Sequence, residues 1–384
     1  MWAITSKFCI IFNYRFDIEC WLIVGVIFSW SLLAMLFLPG SEYYGPKTAT
    51  FRPKYCHNAW SFYLLSMLFS VPLIWCFSVL HLYYKFTTFI GILNVCGVTL
   101  AVYVYLKAFI SPDPGEHDAT GNPFFDFFAG IETYPNLMPN VSIKVLINAR
   151  ISLLLWQMVA LVCWKANYEL TGGLFDWQMN VVTLLSTVYL AKAFYWEDGY
   201  MQSFDSNTER FGFLFAWGCI VFVPSMYNLP NTTLVGNCQQ NDGNKIISQF
   251  SFVLGLASVV LSYFTDTQRG SVRQSDGQCT VWGCAPKLIR PKYVDALGKK
   301  KSTVLLASGF WGLARHINYL FEWTGFLAMV LPTNNLLAYC FITFNLCMLI
   351  HRTTRDDKKC SQKYGKYWQE YKTLVQYRIV PGLF

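Results

Sequence analysis

Apolar runs long enough to cross a bilayer recur along the whole chain, separated by short polar or turn-forming breaks. A transmembrane helix needs about 20 predominantly apolar residues. The first such run is Cys20–Leu38, closed by Pro39-Gly40. Ser61–Leu82 and Phe86–Phe109 follow, joined by a turn around Lys85. Val145–Trp164, Gln178–Phe194, Gly212–Met226 and Ile247–Phe264 continue the series. The eighth run, Val304–Leu331, has a polar middle and stops at Pro332; the ninth is Leu336–Ile350. After His351 the chain turns polar, and Tyr364, Tyr367, Trp368 and Tyr371 recur at the three- and four-residue spacing of one helix face. The pattern predicts an all-α polytopic membrane protein: about nine transmembrane helices, the eighth broken, and a short helical cytosolic tail. Ser111–Lys144 is polar but carries Phe124, Phe125, Phe127 and Phe128. It is too apolar for a solvated linker and is expected to fold back onto the membrane domain.

Composition agrees with a membrane chain. Of 384 residues, 54% are hydrophobic and 14% charged, against about 25% charged in soluble domains. The formal charge of +8 is uneven. Residues 265–303 hold eight Lys/Arg and three Asp, and residues 352–384 hold eight Lys/Arg and three Asp/Glu. The positive-inside rule places both segments in the cytosol, and the loop around Lys47–Lys54 on the same side. The C-terminus is then cytosolic, and Asn231-Thr232-Thr233 faces the lumen as a glycosylation acceptor, whereas Asn140-Val141-Ser142 does not. Residues 1–19, with Lys7 and Arg15 balanced by Asp17 and Glu19, lack the order of a signal peptide. The thirteen cysteines, Cys238 and Cys279 in loops among them, show no CxxC pairing and read as small hydrophobes. The partners expected are membrane lipid and a phosphate-bearing ligand, not nucleic acid.

The polar middle of the eighth run carries the chemistry. Leu305–Leu320 is apolar overall, yet holds Arg315, His316, Asn318 and Tyr319 with Gly309 and Gly312. Charged and imidazole groups at membrane depth are costly and line a cavity or pair with something. Arg269 and Arg273, one helical turn apart, precede this stretch; Arg352, Arg355, Asp356, Lys358, Lys359, Cys360, Lys363 and Tyr364 follow the last span. Guanidinium groups stay charged and offer forked donors to phosphate. Together these groups describe a pocket for an anionic, aromatic cofactor with more than one phosphate. Anchoring to acidic lipid accounts for the same cations equally well on spacing alone. There is no GxGxxG after a strand, no Walker sequence and no HExxH, so any cofactor binds between or beside the spans, and no metal is expected.

Longer motifs separate these readings. The stretch SGFWGLARHINY (Ser308–Tyr319), His351-Arg352-Thr353-Thr354-Arg355-Asp356, Lys363-Tyr364-Gly365-Lys366-Tyr367-Trp368 and Tyr377-Arg378-Ile379-Val380-Pro381-Gly382-Leu383-Phe384 closely resemble the sterol reductase family. The similarity extends upstream through Gly130-Ile131-Glu132, Phe211-Gly212-Phe213, Trp217-Gly218 and Trp282-Gly283, and the two ends look most like its Δ7-reducing branch. The resemblance implies an enzyme that reduces a sterol Δ14, Δ7 or Δ24 double bond with NADPH, in the endoplasmic reticulum of a eukaryote or the inner membrane of a bacterium. It implies one membrane domain over 1–384, with sterol-side elements in 1–246 and the cofactor half in 247–384. Its NADPH contacts would fall on Arg269 (Lys in relatives), Arg273, Leu306, Trp311, Asn318, Tyr319, Asp356, Cys360, Lys363, Tyr364 and Tyr371. Two departures, Phe321-Glu322 for a Gly-Asp pair and Thr133-Tyr134-Pro135-Asn136 after Gly-Ile-Glu, bear on bond choice.

A sterol alkene is not polarised, so reduction needs a positioned acid on one face and a hydride donor on the other, in a dry pocket. A carboxyl in an apolar site can stay protonated at neutral pH. Glu132 and Glu197 are the acids expected, with Asp205 behind them and Tyr319 or His316 as the relay of the proton; Glu132, Glu197 and Tyr319 are the catalytic residues expected. The competing classes are a non-catalytic sterol-binding membrane protein and a membrane methyltransferase using S-adenosylmethionine. The second leaves the Arg269/Arg273 pair unexplained, because that cofactor has no phosphate.

Overall fold

The computed structural model describes residues 17–45, 52–113, 117–139, 141–237, 241–294, 298 and 300–384. Lys7, Arg15, Lys47, Asn140 and Cys238 lie outside the described residues. Seven helices among those residues are long and apolar enough to cross a membrane: Ile18–Phe37, Ala59–Cys76, Phe86–Ile110, Ile143–Leu170, Phe213–Leu234, Asp242–Gln274 and Leu336–Tyr364. The other two expected spans also fold as helices, but differ in kind. Trp177–Tyr195 buries Gln178, Thr183 and Ser186 against its neighbours, which lowers its apolarity. Ile317–Val330 has 14 residues, about 21 Å of helix, short of the roughly 30 Å hydrocarbon core.

The all-α expectation needs correction. Among the described residues there are four two-stranded antiparallel ribbons: Ser41–Tyr44 with Lys54–His57, Asn136–Met138 with Val141–Ser142 and Lys292–Val294 with Lys300–Ser302 lie between the expected spans, and Leu288–Ile289 pairs with Leu305–Leu306 at the start of the eighth run. Loop backbone folded against a protein surface must find partners for its N–H and C=O groups, and short ladders supply them. Strands of two to four residues are too short to leave a periodic signal.

The chain divides into two compact units, Met1–Gln240 and Asn241–Phe384. In the first, Asp17 caps helix Ile18–Phe37 by accepting from the N–H groups of Glu19 and Cys20 at 3.1 and 3.3 Å. Outward side chains such as Leu22, Val26, Leu68 and Phe69 are exposed, as lipid-facing positions are in a protein taken without its bilayer. Two helices contain π turns, at Ile147–Ser152 and Gly218–Phe222. The second ends where Val223 N–H donates to Gly218 O, directly before Pro224, which has no N–H of its own for the ladder.

The Ser111–Lys144 segment folds back, as its aromatics predict. Asn122 caps a short helix, Pro123–Ala129, and Phe127 stacks on Phe213 at 5.8 Å. Beyond it, Gly130 has φ +92°, and a Cβ there would come within 2.5 Å of the Gly212 nitrogen. Only glycine fits where these two motifs cross, and Phe211 N–H donates to Glu132 O at 2.8 Å beside them. The glycosylation expectation is corrected here as well. Asn231 is fully buried and its Nδ2 donates to Thr183 Oγ1 at 2.9 Å, so the folded protein does not offer that amide.

In the second unit, helix Asp242–Gln274 runs 33 residues, about 50 Å, and so projects past a hydrocarbon core of roughly 30 Å. Ser251, Gly255, Ser258 and Ser262 form a buried small-residue stripe along it, the kind of face that lets membrane helices approach closely. Helix Ile317–Val330 packs on it, with Ser258 and Thr324 hydroxyls 2.9 Å apart and a Gly325 Cβ position 3.6 Å from Ser258.

Candidate functional site

The site of the second unit is built on three pieces: the projecting end of Asp242–Gln274, the break before Ile317–Val330, and the end of Leu336–Tyr364 with its tail. The break comes first. Leu305–Leu306 is strand, Phe310–Leu313 a single helical turn, and Ala314 is extended (φ −155°, ψ 152°) before the helix restarts at Ile317. Non-helical backbone in such a protein must be satisfied from within. The C-terminal tail does this. Tyr377 O accepts from Arg315 N–H at 3.0 Å and Arg378 O from His316 N–H at 2.7 Å. The Arg315 guanidinium donates to Val375 O and Gln376 O at 2.7 and 3.0 Å. Arg315 is thereby a structural clamp, which explains a buried arginine without a carboxylate on it.

Gly309 opens the short turn with φ +62°, and a Cβ there would meet Gln268 Oε1 and Val281 Cγ1 at 2.5 Å. The same Gln268 oxygen accepts from Phe310 N–H at 3.0 Å. Trp311 is buried, and its indole N–H donates to Thr265 O at 2.8 Å. The Arg269 guanidinium lies 4.2 Å over the Trp311 ring, a cation–π contact worth about 0.5–2 kcal/mol. Asp266 Oδ1 accepts from Arg269 at 3.1 Å and from Asn318 Nδ2 at 3.2 Å. That leaves Asn318 Oδ1 as a buried acceptor with no partner.

The tail helix Lys366–Leu374 closes the other side. Tyr371 O–H donates to Leu306 O at 3.0 Å, with Trp311 O at 3.5 Å. Burial pushes the Tyr371 phenol up to about 12, so the donor stays protonated. His316 stacks on Tyr319 with ring centroids 5.2 Å apart and 14° between planes, and its Nε2 lies 3.6 Å from Asp356 Oδ2. Cys360 Sγ–H donates to the same Asp356 oxygen at 3.7 Å. At the far end, Lys363 Nζ lies 5.2 Å from the Tyr364 ring centre. Arg273 reaches solvent and is within electrostatic range of Arg269, Cys360, Tyr364 and Tyr371.

The cofactor residues expected from the sequence are therefore linked by contacts in one unit. Arg269 and Asn318 meet through Asp266, and Trp311 lies under Arg269; Leu306, Trp311 and Tyr371 meet through the tyrosine hydroxyl; Asp356, Cys360, Lys363 and Tyr364 lie along one helix end. Asp266 and Gln268 were missed, because nothing in the spacing sets them apart from the other Asp and Gln residues of the same basic segment. Tyr293 was missed too: its ring lies 4.6 Å from Lys363 Nζ.

Glu132 and Glu197 belong to the first unit, each held by a cation. Lys107 Nζ donates to Glu132 Oε2 and Oε1 at 2.9 and 3.2 Å, and Asp113 N–H to Oε1 at 2.6 Å. Arg150 Nη2 donates to Glu197 Oε1 at 2.6 Å, and Ala59 N–H to Oε2 at 3.0 Å. Both oxygens of each group act as acceptors, the arrangement of a carboxylate and not of an acid holding its proton. Asp205 lies beside a third buried cation, Lys144, whose Nζ donates to Asp205 O, Ser206 O and Glu209 O.

Comparison with known proteins shows the family. The model of the Ergosterol biosynthesis ERG4/ERG24 family matches residues 3–384. The chain belongs to that family. It is 34% identical to a 7-dehydrocholesterol reductase of Arabidopsis thaliana over 369 residues, 95% of this chain and 85% of that protein. A 7-dehydrocholesterol reductase of Danio rerio is 30% identical over 370 residues, 96% of this chain and 69% of the relative. A Delta(14)-sterol reductase of Neurospora crassa is 28% identical, covering 93% and 81%. The chain is thus a multi-pass membrane enzyme of the sterol reductase family.

Proposed function

We propose that this enzyme reduces the Δ7 double bond of a sterol with NADPH, with its C-terminal tail in the cytosol. The observation that carries the cofactor reading is Asn318 Oδ1, a buried acceptor without a partner, beside an indole fixed by Thr265 and covered by Arg269. A carboxamide N–H₂ satisfies such an acceptor, and the indole gives a nicotinamide ring an apolar wall. Arg273 and Lys363, which carry no ion pair among the described residues, suit phosphate. NADPH, when bound, supplies the hydride.

The chain's own residues do the rest. Trp311 and Leu306 line the ring end, and the hydrogen bonds of Tyr371 hold them in register. Tyr319 is assigned as the proton donor in preference to Glu132 and Glu197, whose oxygens are already occupied as acceptors. His316, stacked on Tyr319 and next to Asp356, is its route of reprotonation. Two C–H bonds replace the π bond, one hydrogen arriving as a proton and the other as hydride. The Δ7 assignment is supported by the names of the two plant and animal relatives above and by the Ser308–Tyr319 and Tyr377–Phe384 motifs.

Two measurements test this reading. Expression in yeast strains that each lack one sterol reductase, with sterols profiled by mass spectrometry, should deplete Δ5,7-diene sterols in every strain. Restored Δ14 saturation in one strain alone would move the assignment to Δ14, and unchanged profiles throughout would end the catalytic reading. Separately, Arg273→Ala should weaken NADPH binding about tenfold or more, as expected for a lost charge-assisted contact of about 1.5–3 kcal/mol, and NADH binding far less. Equal losses for the two nucleotides would remove the phosphate role.

A further inference from the structure

We propose that a cavity among the spanning helices of the first unit is a sterol-binding site, with the Ser225 hydroxyl as the partner of the sterol hydroxyl. It does not rest on the cofactor reading above. Every wall of the cavity belongs to Met1–Gln240, and no residue assigned to cofactor binding or proton transfer lines it.

The cavity has a volume of about 90 Å³. Ile27 lines it from helix Ile18–Phe37, Phe86 and Phe89 from Phe86–Ile110, Val159 from Ile143–Leu170, and Pro224 with Ser225 from Phe213–Leu234. Ile27, Phe86, Phe89 and Val159 are half-buried, so the cavity opens toward the surface that lipid covers. Of the buried serine hydroxyls without a partner among the described residues, those of Ser152, Ser225 and Ser251, only that of Ser225 belongs to this wall. Elsewhere Ser31, Ser66, Ser186 and Ser258 return their hydroxyls to the carbonyl four residues back, at 2.8, 2.7, 2.9 and 2.7 Å. For Ser225 that carbonyl belongs to Val221, inside the π turn Gly218–Phe222, and no such bond forms. Ser225 is 9% exposed, and lipid over it offers no hydrogen bond.

Wall chemistry and size then select the occupant. A hydroxyl both donates and accepts, so one orphaned hydroxyl in an apolar wall matches an amphiphile that carries a single hydroxyl. A phospholipid head brings charge, and no charged residue lines the cavity to pair with it. Diacylglycerol has one hydroxyl, but its ester carbonyls would lack donors among these hydrocarbon and aromatic side chains. A sterol brings one hydroxyl on a rigid apolar ring system. Space of about 10–15 Å³ admits one water-sized group, so this cavity admits roughly six to nine. The hydroxyl-bearing ring of a sterol is of that size, and the remaining rings lie along the open side against Ile27 and Phe86.

The test uses the full-length protein in phosphatidylcholine nanodiscs. The probe is a photoreactive 3-hydroxy sterol with a diazirine on its rings and an alkyne on its side chain, and labelled peptides are mapped by mass spectrometry. Labelling should be saturable on the segments holding Val159 and Ser225. Excess cholesterol should compete for it; the 3-deoxy analogue and diacylglycerol should not. Ser225→Ala should weaken apparent affinity at these segments about threefold to tenfold, the loss of one hydrogen bond. Ser225→Thr keeps a hydroxyl and should stay within about twofold of wild type. Equal competition by the 3-deoxy analogue, or unchanged affinity in Ser225→Ala, would overturn the hydroxyl pairing and the assignment to sterol. Equal competition by diacylglycerol would overturn the choice of occupant, and no labelling of these segments would overturn the site. Each of these results leaves the cofactor reading standing, because NADPH binding is measured separately on the same discs.

Discussion

Replacing Tyr319 by phenylalanine is expected to lower kcat for sterol reduction by about 10²–10⁴-fold, the usual contribution of a positioned general acid. NADPH affinity should stay within about twofold, because only a transition-state interaction is removed. The ring must remain, since it stacks on His316 at 5.2 Å and helps hold the turn before Ile317–Val330. Phenylalanine keeps that stack and deletes only the O–H. His316→Gln should lower kcat less, because the phenol still carries a proton for the first turnover and recovers it through solvent. Measuring kcat and cofactor Kd on the same reconstituted sample separates the two effects. Turnover retained in Tyr319→Phe would remove it as the donor; a parallel loss of NADPH affinity would make it a binding residue instead.

The limits of the sequence are visible at particular residues. Each of the seven helices of spanning length overlaps one of the apolar runs, because a bilayer imposes a long, nearly uninterrupted signal, but Asp242–Gln274 and Leu336–Tyr364 continue well past theirs into polar sequence. Trp177–Tyr195 is less plain because a helix covered by protein can carry Gln178 without meeting lipid, and Ile317–Val330 because the break before it leaves only 14 residues of helix. The broken middle of the eighth run was legible from Arg315 and His316, since such groups do not sit in hydrocarbon unsatisfied. How they are satisfied was not legible. The carbonyls of Val375, Gln376, Tyr377 and Arg378 do it, and a carbonyl leaves no trace in a sequence. The same holds for the hairpin that brings Tyr293 to Lys363. Its register comes from backbone pairing between segments of three residues, below the length at which alternation can be read. Asn231 shows the converse, a motif that is legible and misleading because burial cannot be read from three letters.

Glu197 illustrates why an apolar neighbourhood does not by itself make an acid, and it yields the second large expected effect. Arg150 sits fully buried in a π turn and donates to Glu197 at 2.6 Å and to Asn58 Oδ1 at 3.0 Å. Asn58 in turn donates to Leu38 O at 3.0 Å, so the pair ties together helices Ile18–Phe37, Ala59–Cys76 and Ile143–Leu170. Arg150→Ala leaves a buried carboxylate uncompensated, which should cost about 3–5 kcal/mol and appear as a lowered Tm in nanodiscs. Glu197→Gln should be milder, because the amide oxygen still accepts from Arg150, but the guanidinium then lacks its counter-charge. The double change Arg150→Met with Glu197→Leu should recover much of the stability, since apolar replacement of a buried pair is often neutral. A catalytic Glu197 predicts the opposite division: Glu197→Gln would keep Tm and lose kcat. Finding that division would return Glu197 to the role of proton donor, whereas a fall in Tm with kcat per folded enzyme preserved fixes it as the clamp between three helices.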